Sequence, residues 1–436
     1  MRFTSLNEWL QWQETLHPEE IELGLERVAN VWQAMQSSAP SPGFNCPVVS
    51  VAGTNGKGSS IAMLEAIYLA AGYRVGCYTS PHLYRYNERI RLNGEAVADE
   101  VIIDTFQLID EARTGFQSDI SLTYFEFGTL AALQIFAHAE LDIVLLEVGL
   151  GGRLDAVNII DADVALITSI DLDHQAWLGN TREDIAREKA GILRTNKTCV
   201  LSDPDIPSLI EEQAKALGCM CFVAGDAFSY QLEQGQWRWQ ANERIRAALP
   251  LPALNGQHQL QNAAAVLMVV EILQQRLAMT QQSIRNGLLS ASLPGRFEIR
   301  PGDVTTILDV AHNPAAAITL AESLKAYTGS RRVLCVFSIL ADKDVANVVK
   351  PLVPLVTHWS LAPVSTGRGM PIRQIEQELS TQLHAQKVNI MQPVQVESHA
   401  TIQQAFAAAK VNAKPGDIIL VYGSFYIVAE VGAEAV

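Results

Sequence analysis

Residues 47–80 read PVVSVAGTNGKGSSIAMLEAIYLAAGYRVGCYTS, and this stretch decides the fold. PVVSVA is a short apolar, β-branched run and GTNGKGS a glycine-rich one. SSIAMLEAIYLAAG reads as a helix ending at Gly72, and YRVGCYTS as a second strand. Strand, glycine loop, helix and strand in that order make a parallel β-loop-α-β unit. Glycines let a loop turn its N–H groups toward a phosphate, the helix start adds partial positive charge, and Lys57 adds a full one. Gly53, Thr54, Asn55, Gly56, Lys57, Gly58 and Ser59 are therefore candidate phosphate contacts. The pattern departs from G-x-x-x-x-G-K-[ST] twice, with Val51 at the first glycine and Gly58 after the lysine. A glycine-rich structural turn is the competing reading, but such a turn has no need of an embedded lysine.

Working outward, LDIVLLEV (141–148) follows a helical stretch around Phe127–Ala139, and ADVALITSI (162–170) comes next. Alternating strands and helices predict a mostly parallel sheet covered on both faces. Residues 200–295 are less regular, with a strand pair near Ser229–Gln240 and a helix around Asn262. At Leu293-Pro294-Gly295-Arg296 a breaker pair interrupts the chain. TTILDVAHNP, RRVLCVFSIL, THWSLAP and DIILVYGSF then restart the alternation. The expectation is an α/β protein in two parts. A P-loop domain with a mostly parallel sheet covers 1–295, and a Rossmann-like α/β domain covers 296–436, hinged at Pro294–Phe297.

Open parallel sheets bind ligands at the carboxyl ends of their strands. The expected strands run into the phosphate loop, into Ser80, to Glu147, and into Asp171-Leu172-Asp173-His174. If they are parallel, Ser80, Glu147, Asp173 and His174 share one rim with Lys57. A hydroxyl, a carboxylate and an imidazole beside a nucleotide phosphate suit Mg²⁺, which takes few protein ligands and adds phosphate oxygens. Singly, Glu147 could cap a helix and His174 could be an ordinary loop histidine; their shared edge argues for a site.

Glu147-Val148-Gly149-Leu150-Gly151-Gly152-Arg153-Leu154-Asp155 follows directly. Its three glycines imply a close approach of backbone. Arg153 can hold a carboxylate or phosphate bidentately, or form a solvated pair with Asp155. Lys189 in REKAG reads on pattern alone as a helix-end cation. Farther on, His258 to Asn262 open a helix, Asp309 and His312 end a strand of the second domain, and Arg296 lies on the hinge. A cleft between two α/β domains is the default small-molecule site.

With 47 acidic and 32 basic residues the net charge is −15, which disfavours nucleic acid as a partner. Any anion site must then be built locally. The six cysteines show no zinc-like or C-x-x-C spacing, so reduced thiols and a cytoplasmic location are expected. The start, MRFTSLNEWLQWQE, lacks the pattern of a signal peptide. No apolar run reaches 18 residues, so no membrane span is expected.

VAGTNGKGSS, TSPHL, EVGLGGRLDA, DHQAWLG, REKAGI, LPGRFE and DVAHNP together resemble the folylpolyglutamate synthase/dihydrofolate synthase family of the Mur-ligase superfamily. The likeness spans nearly the whole chain. It implies that Gly56, Lys57, Gly58 and Ser59 hold the phosphates of ATP, that Ser80, Glu147 and His174 bind Mg²⁺, and that Lys189 is carbamylated. It likewise implies that Asn262, Arg296 and Asp309 contact ATP, with His312 near the same place. Lys57, Lys189 and His312 are then the catalytic candidates. Gly24-Leu25-Glu26-Arg27 and Leu122-Thr123-Tyr124-Phe125 resemble segments that bind dihydropteroate in bifunctional bacterial members; Arg153 is grouped with them. Both segments also read plainly, as a helix end and a helix start.

The activity implied is ATP-dependent ligation of L-glutamate to dihydropteroate and to reduced folates through an acyl phosphate. Mg²⁺ is the implied cofactor, with a monovalent cation as a further ion, and a monomer is expected. A peptidoglycan Mur ligase would need a UDP-binding domain before the phosphate loop, and only 52 residues precede Gly53. A GTPase switch would need N-K-x-D, and the nearest match, Asn196-Lys197-Thr198-Cys199, ends in cysteine. A non-catalytic nucleotide-binding regulator would be expected to lose Glu147, His174 or Lys189, and all three are present.

Overall fold

The computed structural model describes residues 2–38, 43–115, 119–385 and 394–433. The chain divides into two compact units. One runs to Ala253 and resumes over Leu260–Ser292; the other holds Leu254–Gln259 and the chain from Leu293 onward. The segment Leu254–Gln259, which the sequence alone assigns to the first part, thus goes with the second.

Among the described residues the first unit builds an eight-stranded sheet. Its strands are β1 (Val48–Ala52), β2 (Val75–Tyr78), β3 (Ile90–Leu92), β4 (Glu95–Ala96), β5 (Ile143–Glu147), β6 (Val164–Ile167), β7 (Thr198–Leu201) and β8 (Met220–Val223), in the order β4-β3-β2-β5-β1-β6-β7-β8. The six from β2 to β8 in that order are parallel; β3 and β4 are antiparallel additions at one edge. Every residue of β1, β2, β5 and β6 is buried, which is why these strands are almost wholly apolar rather than alternating. The mostly parallel sheet of the sequence reading is present, and β7 and β8 extend it.

Two amphipathic helices, Leu6–Leu16 and Glu26–Ser38, feed one core. The first starts at a capping box of Ser5 and Glu8, which satisfies two orphan N–H donors. Its Trp9 lies 5.8 Å from Phe106 and 6.2 Å from Phe127, all three fully buried. Truncating such an aromatic typically costs about 3–5 kcal/mol.

Beyond β8 the less regular region is a three-stranded antiparallel sheet of β9 (Phe228–Glu233), β10 (Gln236–Ala241) and β11 (Arg244–Pro250). The sequence reading finds two of these strands. It misses β11 because RIRAALP has no clean alternation. Trp237 and Trp239, two apart on β10, are both buried, as strand periodicity requires. The indole N–H of Trp239 donates to the Ala264 carbonyl at 2.9 Å, fastening the sheet to the helix His258–Ile272.

In the second unit β12 (Glu298–Arg300), β13 (Thr305–Asp309), β14 (Val333–Phe337), β15 (His358–Leu361), β16 (Gln395–Ser398) and β17 (Ile418–Tyr422) form a sheet of order β12-β13-β17-β14-β15-β16. All but β12 are parallel. This is the expected Rossmann-like α/β part. Its edge strands β12 and β16 escape sequence reading because they are short and, in β16, exposed throughout. Among the described residues no helix is long and apolar enough to cross a membrane.

Candidate active site

β1 leads into a helix that crosses to β2 on one side, whereas β6 leads into the helix Arg182–Ala190 and then to β7 on the other. The loops leaving these adjacent strands diverge, and that switch point is where open α/β sheets bind ligands. The loop after β1 is fastened to the end of β6. Thr54 N donates to the Ser169 carbonyl at 2.7 Å, and the Thr54 hydroxyl exchanges two 3.0 Å bonds with the Asp171 backbone. Gly53 has φ +153° and is packed so closely that a Cβ would lie 1.6 Å from the Thr168 Oγ1. Gly56, φ +91°, precedes the helix Lys57–Ala70, which has no side-chain cap. A Cβ there would meet the Asn262 Oδ1 at 2.7 Å, so Asn262 lies against the phosphate loop. Lys57 curls back, its Nζ donating to the Gly53 carbonyl at 2.8 Å and the Thr54 carbonyl at 3.2 Å.

Lys189 departs most from its sequence reading. On pattern alone a helix-end cation, it is buried. Its Nζ also donates to the Gly53 carbonyl, at 2.9 Å. Burial, followed by the Lys57 charge, pulls its pKa down from the usual 10.5 to about 7, with Asp173 and Asp155 opposing. Buried Asp155 accepts from Leu150 N at 2.8 Å and Val157 N at 3.0 Å. Its acid is raised to about 6 by burial despite those bonds. The alternative of a solvated Arg153–Asp155 pair is therefore excluded. Arg153 pairs with Glu188 instead, through Nε at 3.1 Å and Nη2 at 2.8 Å. Its backbone N–H donates to the Glu188 carbonyl at 2.7 Å.

Glu147, the last residue of β5, is buried, and Ser80 N donates to its Oε2 at 3.2 Å. A loop follows it rather than a helix, so it is not a helix cap. His174 has the left-handed φ of +50°, and its N–H donates to Asp173 Oδ1 at 2.8 Å. Among the described residues no group of three or more His, Cys, Asp and Glu side chains is placed to hold a metal. One carboxylate, one hydroxyl and one imidazole nevertheless fit Mg²⁺, because nucleotide oxygens normally complete its shell.

The segments 24–27 and 122–125, far apart in sequence, meet. Gly24 N donates to the Leu154 carbonyl at 3.2 Å, and Arg27 Nη2 donates to Glu126 Oε1 at 2.8 Å. Arg27 is also paired with Glu22. Leu122 is buried, and Thr123 forms a capping box with Glu126 at the start of the helix Tyr124–His138. Leu25 accepts from Ala29 N, and exposed Glu26 opens its helix. Tyr124 and Phe125 are half-buried; Phe125 lies where a Cβ on Gly149 would meet its ring at 2.6 Å. Tyr86 stands 5.6 Å from Tyr124, and the Arg89 guanidinium lies 5.5 Å from both rings. Sequence reasoning misses this aromatic wall, whose signal is the YRYNER that follows TSPHL.

In the second unit Asp309 ends β13, accepting from Phe297 N at 2.8 Å and Ala311 N at 2.7 Å. Burial raises its pKa, with Arg296 opposing. The Arg296 guanidinium sits 5.2 Å from the Phe425 ring, and the His312 ring 6.0 Å from it. His312 Nδ1 lies 2.8 Å from the Val310 carbonyl. Arg296, Asp309 and His312 are thus one cluster, to which His258 belongs electrostatically.

Comparison with known proteins bears on the whole chain. The Mur ligase middle domain matches residues 51–270, and the Mur ligase glutamate ligase domain matches 295–425. The dihydrofolate synthase/folylpolyglutamate synthase of Escherichia coli (strain K12) is 42% identical over 98% of this chain and 94% of its own length. That of Haemophilus influenzae is 40% identical over 98% and 96%. A structure of E. coli FolC with DHPP and ADP has a TM-score of 0.90 at 42% identity, covering 99% of this chain and 98% of that one. A bifunctional folylpolyglutamate synthase/dihydrofolate synthase with Mn, AMPPNP and L-glutamate bound gives 0.87 at 42%, with the same coverage. Two domain matches in the right order, and relatives of this identity over essentially full length, lead to one conclusion: the chain belongs to the dihydrofolate synthase/folylpolyglutamate synthase family of Mur-type ligases.

Proposed function

We propose that the protein uses ATP to join L-glutamate to dihydropteroate, giving dihydrofolate, and to lengthen the glutamate tail of reduced folates. The single observation that carries the reading is the convergence of Lys57 and Lys189 on one carbonyl, that of Gly53. The Lys57 cation on a glycine loop at a sheet switch point suits a polyphosphate, and the amine buried beside it is placed to serve the same site. The DHPP, ADP and L-glutamate held by the E. coli protein and its relative support the same substrates here.

The acceptor carboxylate attacks the γ-phosphorus of ATP, the bond to the β-phosphate oxygen breaks, and ADP leaves. The amine of glutamate then attacks the acyl phosphate, forming the amide and releasing phosphate. Lys57 and the loop N–H groups offset charge on the transferring group. Ser80, Glu147 and His174 would hold Mg²⁺, which supplies further neutralisation of the phosphates. Asn262, beside Gly56, and the Arg296–Asp309–His312 cluster are read as nucleotide contacts. The wall of Tyr124 and Phe125, with Gly24 to Arg27 behind it, is read as the pterin side. Arg153, committed to Glu188, serves this wall through the backbone of its loop.

Lys189 is read as the carbamylated lysine. Only the neutral amine can add to CO₂, forming an N–C bond and losing a proton, and burial beside Lys57 favours that neutral form. We further propose that the enzyme works in the cytoplasm as a monomer. Phosphate release with Mg-ATP and glutamate, with dihydropteroate or tetrahydrofolate as acceptor, tests the reading. Release with both establishes the two activities, release with tetrahydrofolate alone removes the first, and silence with both overturns the proposal.

A further inference from the structure

The ligase chemistry makes no use of a thiol, yet two cysteines stand opposite one another on neighbouring strands. Cys199 of β7 is the register partner of Cys221 on β8, the outermost strand of the first unit's sheet. Register partners on adjacent strands lie about 4.8 Å apart, inside the roughly 4.4–6.8 Å between Cα atoms that a disulfide spans. Cys199 is fully buried, and Cys221, on the edge strand, is half-buried. Cys219 is nearby but is directed elsewhere, its Sγ donating to the Arg194 carbonyl at 3.2 Å. Cys77 and Cys335 are buried within other strands.

This asymmetry assigns roles. Burial disfavours a thiolate, so the half-buried Cys221 ionises more readily than the fully buried Cys199. It is also the member nearer the surface. Burial of Cys199 prevents it from meeting an outside reagent first but leaves it in line to attack its partner.

We propose that Cys199 and Cys221 are a reversible oxidation site, closed by thiol–disulfide exchange with a low-molecular-weight disulfide. The Cys221 thiolate attacks one sulfur of the reagent, forming a mixed disulfide and expelling one thiolate. Cys199 then loses its proton and attacks the Cys221 sulfur, expelling the second thiolate. Two protein thiols and one small disulfide become one protein disulfide and two small thiols, so protons and electrons balance. The bond ties the edge strand to β7 in the core that also contains Ile185, Ala186 and Ala190 of the Lys189 helix.

The test treats the whole folded chain with oxidised glutathione, alkylates the remaining thiols and maps peptides without reduction. Linkage of the Cys199 and Cys221 peptides, reversed by dithiothreitol, is the expected result. Cys199→Ser should stall with one glutathionyl group on Cys221, and Cys221→Ser should abolish the linkage without glutathionylating Cys199. Far-ultraviolet dichroism and basal ligase activity would show that both variants are folded. Linkage of Cys219 to either partner, or modification confined to Cys46 and Cys219, would overturn the assignment.

Discussion

Gly287 lies directly against Ile67: a Cβ on the glycine would come within 2.4 Å of the Ile67 Cα. The helix Gln281–Ser290 is thereby seated on the helix Lys57–Ala70, the one that begins at the phosphate loop. Backbone, not a flexible side-chain tip, is what the added methyl would meet. Gly287→Ala should therefore part the helices at a cost of about 1–3 kcal/mol, the usual range for overpacking. A lowered thermal midpoint with a raised KM for ATP is expected. An unchanged melt would show that the two helices can slide apart without penalty.

The carbonyl of Gly53 receives both Lys57 and Lys189, and Gly53→Ala would drive a methyl into Thr168. Because the φ of +153° is itself hard for an L-residue, removing the Thr168 hydroxyl should not restore function. Phosphate release should fall by about 10²-fold or more, as when preorganised donors are displaced. Recovery in Gly53→Ala/Thr168→Ala would count against this account.

Lys189→Ala removes the buried amine and the carbamate it is proposed to carry. We expect ligation to fall at least about 10²-fold, with partial recovery on adding a short carboxylic acid such as formate or acetate. Lys189→Arg should lose activity without recovery, since a guanidinium adds no CO₂ and its larger fork does not fit. Dichroism separates these outcomes from unfolding. Full activity in Lys189→Ala would remove the residue from the mechanism.

Arg27 holds buried Glu126 at 2.8 Å and Glu22 beside it. Arg27→Met should leave the Glu126 carboxylate buried without its cation, which costs up to about 3–5 kcal/mol for a fully enclosed pair and less for this half-exposed one. The capping box through Thr123 should persist, so helix content should not change. KM for dihydropteroate should rise while KM for ATP stays constant; an equal rise in both would place Arg27 in general stability alone.

His258 is exposed at the start of its helix, and its pKa is lowered from 6.5 to about 4 by desolvation from the chain crowded around it and then by the Arg296 charge. The unfolded chain takes up a proton near pH 6.5 and the folded one only near pH 4. The unfolded state thus binds more protons between those values, and this group's stabilising share is lost as pH falls from 6.5 toward 4. His258→Phe should flatten the acid limb of the melting curve against pH in that window. An identical acid limb in both proteins would assign the loss to other groups.

Much of this was legible from sequence because parallel sheets write themselves plainly. VVSVA, IVLLE and VALI are apolar throughout since both faces are covered. The phosphate loop was legible for a local reason: its glycines and Lys57 do their work within a few residues of one another. Edge strands such as β4 and β16 were illegible, because exposed residues on short strands carry no hydrophobic period.

What only the tertiary structure decided is the environment of charged groups. Lys189 reads on pattern alone as a helix-end cation, and its burial against a carbonyl 136 residues away in sequence makes it a near-neutral amine. Arg153 and Asp155 sit two apart and suggest a pair, yet one faces Glu188 and the other is sunk among backbone N–H groups. Sequence spacing sets which side chains can exist on one loop or face. Desolvation and Coulomb energy depend on distances that the folded chain alone fixes, so ionisation and pairing belong to the tertiary structure.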